Sequence, residues 1–412
     1  MRIIIYGLNF WPELTGIGKY TGEMAEWLAE RGHQVTVITT PPYYPDWRVQ
    51  NGHSGCKYKK EYWKKIKIYR CPLWTPGNPN GFKRILHLLS FMLSSFPVLL
   101  FEALWLRPDM IWTVEPTFFT VPSTILVTAL SGSKAWLHVQ DFEIDAARGL
   151  GLVRRSAALN FMIGVERFFM KRFDAVSSIS EAMVRKLAER GIAKDKTFLF
   201  YNWVDTDLIY PLDKAKSLRA EWRIGDDRIV VLYSGNIGRK QGLDILFSVA
   251  EEFSKKHPQV LFVIAGDGAA KKDLLSQARH RKLDNVRFES LQPIERLPAL
   301  LATGDIHLVL QKRGVADLAM PSKLTGIFAA GGAAIVTADA GTALHDIVEE
   351  NCLGLVIQPE SSEALALGIH RLVNDINTRK GFQDNARRYA LEKLNKNVII
   401  NEFEQKCLML VL

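Results

Sequence analysis

The 412 residues hold four cysteines, Cys56, Cys71, Cys352 and Cys407, with no C-x-x-C pair among them. That scatter offers neither zinc-ligand spacing nor a disulfide framework, and it suits a reducing compartment. Residues 1–8 lack an extended basic-then-apolar leader and read as a buried first strand, so the cytoplasm is the expected location. No solenoid-period repeat, low-complexity linker or known nucleic-acid module is visible, and nucleic acid is not an expected partner. Hydrophobic content of 48% and charged content of 24% are ordinary for a globular chain long enough for two or three cores. Net charge is missing from the second half. Residues 1–200 hold 26 Lys+Arg against 17 Asp+Glu, and residues 201–412 hold 27 of each, so the formal +9 lies entirely in the first half. An unevenly basic half commonly meets an anionic partner such as a diphosphate or a membrane surface.

What is present is a strand–glycine loop–helix unit, twice. The first runs Met1-Arg-Ile-Ile-Ile-Tyr-Gly7, then a loop with Gly16 and Gly18. A helical stripe of Ile17, Tyr20, Met24, Trp27 and Leu28 follows, stopped at Gly32 before the strand Val35–Ile38. The second runs Ile229–Tyr233, Ser-Gly-Asn-Ile-Gly238, a helix, Val260–Ile264 and Gly266-Asp-Gly268. Strand-like runs recur near 2–6, 35–38, 66–69, 110–114, 135–139 and 174–179, and again near 229–233, 260–264, 286–289, 306–310, 333–338 and 353–357. The alternation predicts an α/β protein of two doubly wound, Rossmann-like domains facing across a cleft. The first is placed at 1–205 and the second at 206–389, with a closing helix over about 390–412 returning to the first.

Two segments depart from this rhythm. Residues 57–70 carry seven basic side chains and one acid, with Tyr58, Tyr62, Trp63 and Tyr69 among them. Lysines interleaved with aromatics suit the headgroup level of an anionic leaflet, which nominates Lys59, Lys60, Trp63, Lys64 and Lys65 as membrane contacts; a solvated basic hairpin is the plainer alternative. Ile85 to Leu106 is long enough to span a bilayer. Pro97 and Glu102 inside it, with α/β pattern on both sides, favour a buried or interface-facing helix.

Ligands of doubly wound sheets bind beyond the carboxyl ends of the strands. Gly235, Gly238, Arg239 and Lys240 form one such loop, whose glycines admit a phosphate and whose cations neutralise it. Gly268 closes a second, where a structural turn is the plainer reading. A third follows Ile306–Leu310 and offers Lys312, Asp317, Ser322 and Lys323. Pro321 and Ser322 suit a helix start, so Lys323 falls in a first turn already positive, a mismatch that a bound anion would relieve. Asp205-Thr-Asp207 has the form of a metal pair but reads as an Asx turn. His138 reads as a satisfied core histidine on the strand that leads to Asp141, itself either a functional carboxylate or a loop cap.

Gly235…Arg239…Gly242, Ala265-Gly-Asp-Gly268 and Pro321-Ser-Lys…Ala329-Ala-Gly331 resemble the C-terminal half of family-4 glycosyltransferases, retaining enzymes of the GT-B architecture. Trp11-Pro-Glu…Gly16-Ile-Gly18, His138-Val-Gln-Asp141, Ser178-Ile-Ser-Glu181 and Asn202-Trp-Val-Asp205…Pro211 extend the likeness over nearly the whole chain. The Trp-Pro-Glu and Val-Gln-Asp stretches are most similar to bacterial exopolysaccharide enzymes, including the fucosyl-transferring ones of colanic acid synthesis. The resemblance implies a cytoplasmic enzyme peripheral to the inner membrane. It would move one sugar from a nucleotide-sugar, GDP-fucose by this likeness, to a polyprenyl-diphosphate-linked oligosaccharide, without metal or other cofactor. Asp141 is then the candidate catalytic carboxylate, and Gly16 and Gly18 join the donor-binding set. Two departures stand out. The family's Glu-x7-Glu frame falls on Leu318 and Gly326, and its His-Asp step reads Gln140-Asp141. A UDP-sugar donor, a sugar-nucleotide 2-epimerase of the same fold and a non-catalytic assembly scaffold are the competing readings.

Overall fold

The computed structural model describes residues 1–13, 16–77, 81–115, 119–142, 157–313 and 320–412. It divides into two compact units, Met1–Tyr201 with Ile400–Leu412, and Asn202–Ile399.

Eight strands build the first unit: β1 (Arg2–Tyr6), β2 (Gln34–Thr39), β3 (Lys59–Trp63), β4 (Ile66–Arg70), β5 (Met110–Glu115), β6 (Lys134–Val139), β7 (Ala175–Ser178) and β8 (Thr197–Leu199). Their order is β3-β4-β2-β1-β5-β6-β7-β8. All pairs are parallel except β3 with β4, which form an antiparallel hairpin at one edge. The central strands are continuous apolar runs because helices cover both faces; Ile3, Ile4, Ile5 and Tyr6 are all buried. The helix Gly16–Glu30 buries Tyr20, Met24, Ala25 and Leu28, and Gly32, at φ 86°, turns the chain into β2.

The helix Gly81–Leu106 is long and apolar enough, by length and composition, to cross a membrane. One of its faces belongs to the core. Leu88, Phe91, Leu99 and Ala103 pack with Ile4, Tyr6, Ile38 and Ile111, and the Tyr6 hydroxyl lies 2.7 Å from Ser95 Oγ. Glu102 faces inward too, where its carboxylate accepts from Lys67 Nζ at 2.5 Å and Tyr69 Oη at 2.6 Å. The acid that interrupts this apolar run is therefore absent from the outward face, which presents Phe82, Leu86, Leu93, Phe101, Leu104 and Trp105.

The last helix, Lys396–Val411, closes the first unit's core. Phe403 stacks on Phe200 at 4.5 Å and meets Trp136 and Trp112 edge-on. Glu404 accepts from Trp27 Nε1 at 3.2 Å and lies 2.7 Å from His33 Nε2.

Six strands build the second unit: β9 (Ile229–Ser234), β10 (Val260–Ala265), β11 (Val286–Glu289), β12 (Ile306–Val309), β13 (Ala334–Thr337) and β14 (Gly354–Ile357). They are all parallel, in the order β11-β10-β9-β12-β13-β14. Every apolar run expected as a strand is one. The two extra strands are β3, too polar to show an apolar run, and β8, only three residues long.

Phe403 is buried against the aromatic side chains of Trp112, Trp136 and Phe200, so Phe403→Ala should destabilise the first unit by about 3–5 kcal/mol through lost burial and a cavity. Thermal unfolding followed at 280 nm should show the drop, and hydrogen exchange should place it in residues of the first unit.

Candidate nucleotide-sugar site

In each sheet, neighbouring strands leave in opposite directions around one gap, between β1 and β5 in the first unit and between β9 and β12 in the second. Such switch points, at the carboxyl ends of the strands, are where doubly wound sheets bind ligands.

In the second unit the residues singled out from the sequence converge there. Gly235 follows β9 at φ 127°, and the chain then makes a tight turn, Arg239–Gln241, closed by Gly242 at φ 62°. From the other side of the gap, the Lys312 amide donates to the Lys240 carbonyl at 2.9 Å. Next to it begins the helix Ser322–Ala329, whose first turn holds Lys323 as its sequence predicts. The Lys323 ammonium is half-buried, 4.1 Å from the centre of the Tyr233 ring. It donates to Tyr233 Oη at 2.8 Å, and that hydroxyl donates in turn to the Asn236 carbonyl at 2.6 Å. A Cβ built on Gly235 would stand 3.6 Å from Lys323 Nζ, so the bare glycine backbone and the ammonium border the same space. Burial pushes the lysine pKa down from its ordinary value to about 8. Among the described residues no carboxylate pairs with it, and a cation short of its full solvation beside a helix N-terminus and loop amides favours a bound anion.

Arg239 and Lys240 stand exposed on the turn, Arg239 with Asp273 at 3.7 Å. Ser322 is exposed at the helix start. Gly238 opens the turn in extended backbone, and Gly268 proves to be a packing glycine: a Cβ on it would collide with the Ile237 carbonyl and the Asn236 side chain. Gly266 is similarly pressed on the Gly235 carbonyl, so the two glycine loops cross at backbone contact. Asp317 and Leu318 lie outside the described residues. A Cβ on Gly326 would meet Leu301 and Ile209 at 3.8 and 4.0 Å, so that position faces apolar side chains.

The first unit places its candidates at strand ends of its own sheet. Gly16, at φ 57°, has open space around it at the start of its helix. Gly18 is instead a close-approach glycine, because a Cβ there would stand 2.8 Å from that of Glu13. Glu13 is buried, its carboxylate accepting from the Tyr43 and Tyr44 amides at 2.8 Å each and from Asn9 at 2.8 Å. Asp141 is exposed immediately beyond β6. His138, on that strand, is the satisfied core histidine its pattern suggests. Its Nδ1 lies 2.9 Å from Ser177 Oγ and its Nε2 2.9 Å from the Gln140 amide, and burial lowers its pKa to about 3, so it is neutral. Asp205 is the Asx turn its spacing suggests, accepting from the Asp207 and Leu208 amides and pairing with Lys396 at 3.1 Å. Among the described residues, no group of three or more His, Cys, Asp or Glu is placed to hold a metal ion.

The basic segment is a hairpin, and it is less free than its composition suggests. Arg70 is buried, donating to Glu61 at 2.7 Å, the Thr40 carbonyl at 3.0 Å and the Trp11 carbonyl at 2.5 Å. Lys59 pairs with Glu61, Lys64 with Glu26 and Lys67 with Glu102. Trp63 stacks on Trp11 at 4.8 Å and is half-buried, so it packs on its own unit. Lys60, between the Tyr62 and Tyr69 rings, and Lys65 are exposed without an ion pair among the described residues.

Two mainly parallel sheets, each with a switch point at the carboxyl ends of its strands and one with a half-buried lysine beside a glycine backbone there, define a two-unit α/β protein of the doubly wound class. Comparison with known proteins settles the family. The family described as "Glycosyl transferases group 1" matches residues 214–389, and "Glycosyl transferase 4-like domain" matches residues 15–203. The chain is 42% identical over 411 residues to WcaI of Escherichia coli (strain K12), covering 98% of each, and the name of that protein assigns it to colanic acid biosynthesis as a glycosyl transferase. Among solved structures, the fold is similar to a sucrose-phosphate synthase from Thermosynechococcus elongatus (TM-score 0.74, 19% identity, 99% and 98% of the two chains covered). It is also similar to a glycosyltransferase from Rickettsia africae (TM-score 0.72, 15% identity, 100% and 98% covered). This chain belongs to the family-4 glycosyltransferases, with the GT-B fold.

Lys323→Ala should weaken nucleoside diphosphate binding by about 1–3 kcal/mol, as for a lost charge-assisted hydrogen bond. The ammonium is present below its pKa of about 8 and is lost above it, and a bound diphosphate would raise that pKa. Affinity should therefore fall as pH rises through about 8, and binding near pH 8 should take up protons. Calorimetry in buffers of different ionisation enthalpy should detect the uptake in the native protein and not in Lys323→Ala.

Proposed function

We propose that this chain transfers a fucosyl residue from GDP-fucose, with retention and without a metal ion, to a polyprenyl-diphosphate-linked oligosaccharide during assembly of a colanic-type exopolysaccharide. The observation that carries the transfer chemistry is the half-buried Lys323 ammonium beside the Gly235 backbone. As the sugar leaves, negative charge grows on the β-phosphate, and a cation and helix N-terminus already oriented toward it stabilise that charge without reorganising. Arg239 and Lys240 supply further positive charge at the same loop. Asp141, exposed at the end of β6, is assigned to the reacting sugar or the acceptor hydroxyl, where a carboxylate orients the attacking oxygen or takes its proton. The likeness to the Escherichia coli WcaI protein, whose name places it in colanic acid biosynthesis, supports the exopolysaccharide setting, and the GDP-fucose donor and lipid-linked acceptor are part of the proposal.

A seat at the inner membrane is part of the same reading, and what supports it is the outward face of the helix Gly81–Leu106. Phe101 is 63% and Trp105 80% exposed, and Lys67, at the β hairpin, anchors the one acid of this run on the opposite face. An apolar stripe with Trp near one end suits an interfacial position.

Thermal unfolding with saturating GDP, UDP, ADP and CMP tests the donor, since a ligand selective for the native state raises its stability. A shift with GDP alone is expected, and no shift with GDP would overturn the GDP-sugar assignment. Asp141→Asn should abolish transfer while leaving that GDP shift intact; near-normal turnover would remove Asp141 from the reaction. On anionic vesicles, Phe101→Ser with Trp105→Ser should reduce binding, as should Lys60→Gln with Lys65→Gln, the second pair mainly at low salt. Charge reversal of the paired Lys59 and Lys64 is not needed for that comparison. Vesicle binding indifferent to both double variants would remove the membrane face.

A further inference from the structure

Away from the switch points, the first unit holds a groove of about 690 Å³ between the β2–β3 connection and the segment that follows β4. A volume of this size is in the ordinary range for a small-ligand site, roughly 300–1,000 Å³. Its apolar walls are Trp47, Val49, Leu73 and Trp74, and Ser90 of the helix Gly81–Leu106 forms part of one side. The walls are braced from behind. The His87 ring packs against Trp47 at 5.2 Å and Tyr43 at 4.9 Å, and its Nδ1 is 2.7 Å from the Trp74 carbonyl. The Trp74 amide donates to Ser90 Oγ at 3.0 Å. Trp74 nonetheless remains 46% exposed, a large indole at the groove.

Two polar features mark an amphiphile rather than a purely apolar guest. The Thr75 hydroxyl, of a groove-lining residue, is buried and has no hydrogen-bond partner among the described residues. Arg48, also in the wall, is exposed and forms no ion pair among the described residues, although Asp46 lines the same groove. A buried hydroxyl without a partner is costly, and a ligand acceptor atom would satisfy it.

We propose that this groove holds the phosphate-proximal part of the isoprenoid chain of the lipid-linked acceptor, with Arg48 and Thr75 toward the phosphate; this rests on the lipid-linked acceptor reading above. The aromatic walls supply contact area for a branched, unsaturated chain, and Arg48 supplies the charge that a phosphate-bearing lipid requires. The groove shares the helix whose outward stripe is apolar, so chain emerging past Ser90 meets a surface suited to the bilayer rather than to water. Charge balance in the unit agrees, since residues 1–200 carry the whole excess of positive charge.

The test uses the full chain and farnesyl diphosphate, a soluble prenyl diphosphate, followed by tryptophan fluorescence below its micellar concentration. Saturable binding is expected, with Trp74→Ala and Arg48→Ala each weakening it on the order of tenfold. Farnesol alone and inorganic diphosphate alone should compete poorly. Both positions are exposed, so unchanged unfolding midpoints will show that the variants fold. Absence of saturable binding, equal binding by both variants, or full competition by inorganic diphosphate would overturn the groove assignment. Transfer to a lipid-linked acceptor with an unchanged KM in Trp74→Ala would overturn it while leaving the proposed function standing. Farnesyl diphosphate binding that depends on Trp74 and Arg48, in a protein that binds no nucleotide, would support the groove and sink the proposed function instead.

Discussion

A lysine ammonium held partly out of water, beside backbone with no side chain to shield it, is the constraint around which the second unit's switch point is built. Placing Lys323 there requires several accommodations that make sense together. Tyr233 offers both a ring face and a hydroxyl to the ammonium. Gly235 leaves room beside it, and Gly266 lets the neighbouring loop pass at backbone contact. Each is unremarkable alone. Jointly they hold a positive charge in one place in the free protein.

Gly326, where the family resemblance leads one to expect a carboxylate, sits in apolar surroundings. It lies one helical turn beyond Lys323 and faces Leu301 and Ile209, so glycine here removes an unpaired charge from an apolar neighbourhood.

The fold was legible because strands buried on both faces must be continuous apolar runs, and β1, β9 and β10 are such runs. β3 was hidden by being an edge strand whose residues, Lys59-Lys-Glu-Tyr-Trp63, read as surface. At the site, Lys323 announced itself by standing at the wrong end of a helix for its charge. Tyr233 gave no such sign, since an aromatic ending an apolar strand reads as core until its hydroxyl is found beneath a lysine. Arg70 was concealed among surface lysines. Only tertiary structure shows it buried against the Trp11 and Thr40 carbonyls, where it ties the hairpin to the loop after β1. The hairpin is thus partly a brace for that loop, and composition alone overstated the charge it can offer a membrane.

The first unit is assembled from two stretches of chain separated by the whole of the second. Ile400–Leu412 contributes Phe403 to an aromatic core and Glu404 to a buried network with Trp27 and His33. On the ribosome this reverses the usual sequence of events, in which the N-terminal domain matures first. Residues 202–399 have all their partners before the earlier-made unit does, and that unit waits with Trp112, Trp136 and Phe200 lacking Phe403 until residues 400–412 have been made. Its outward apolar helix is exposed during the same interval, when a nascent chain most needs either a chaperone or a surface to rest on.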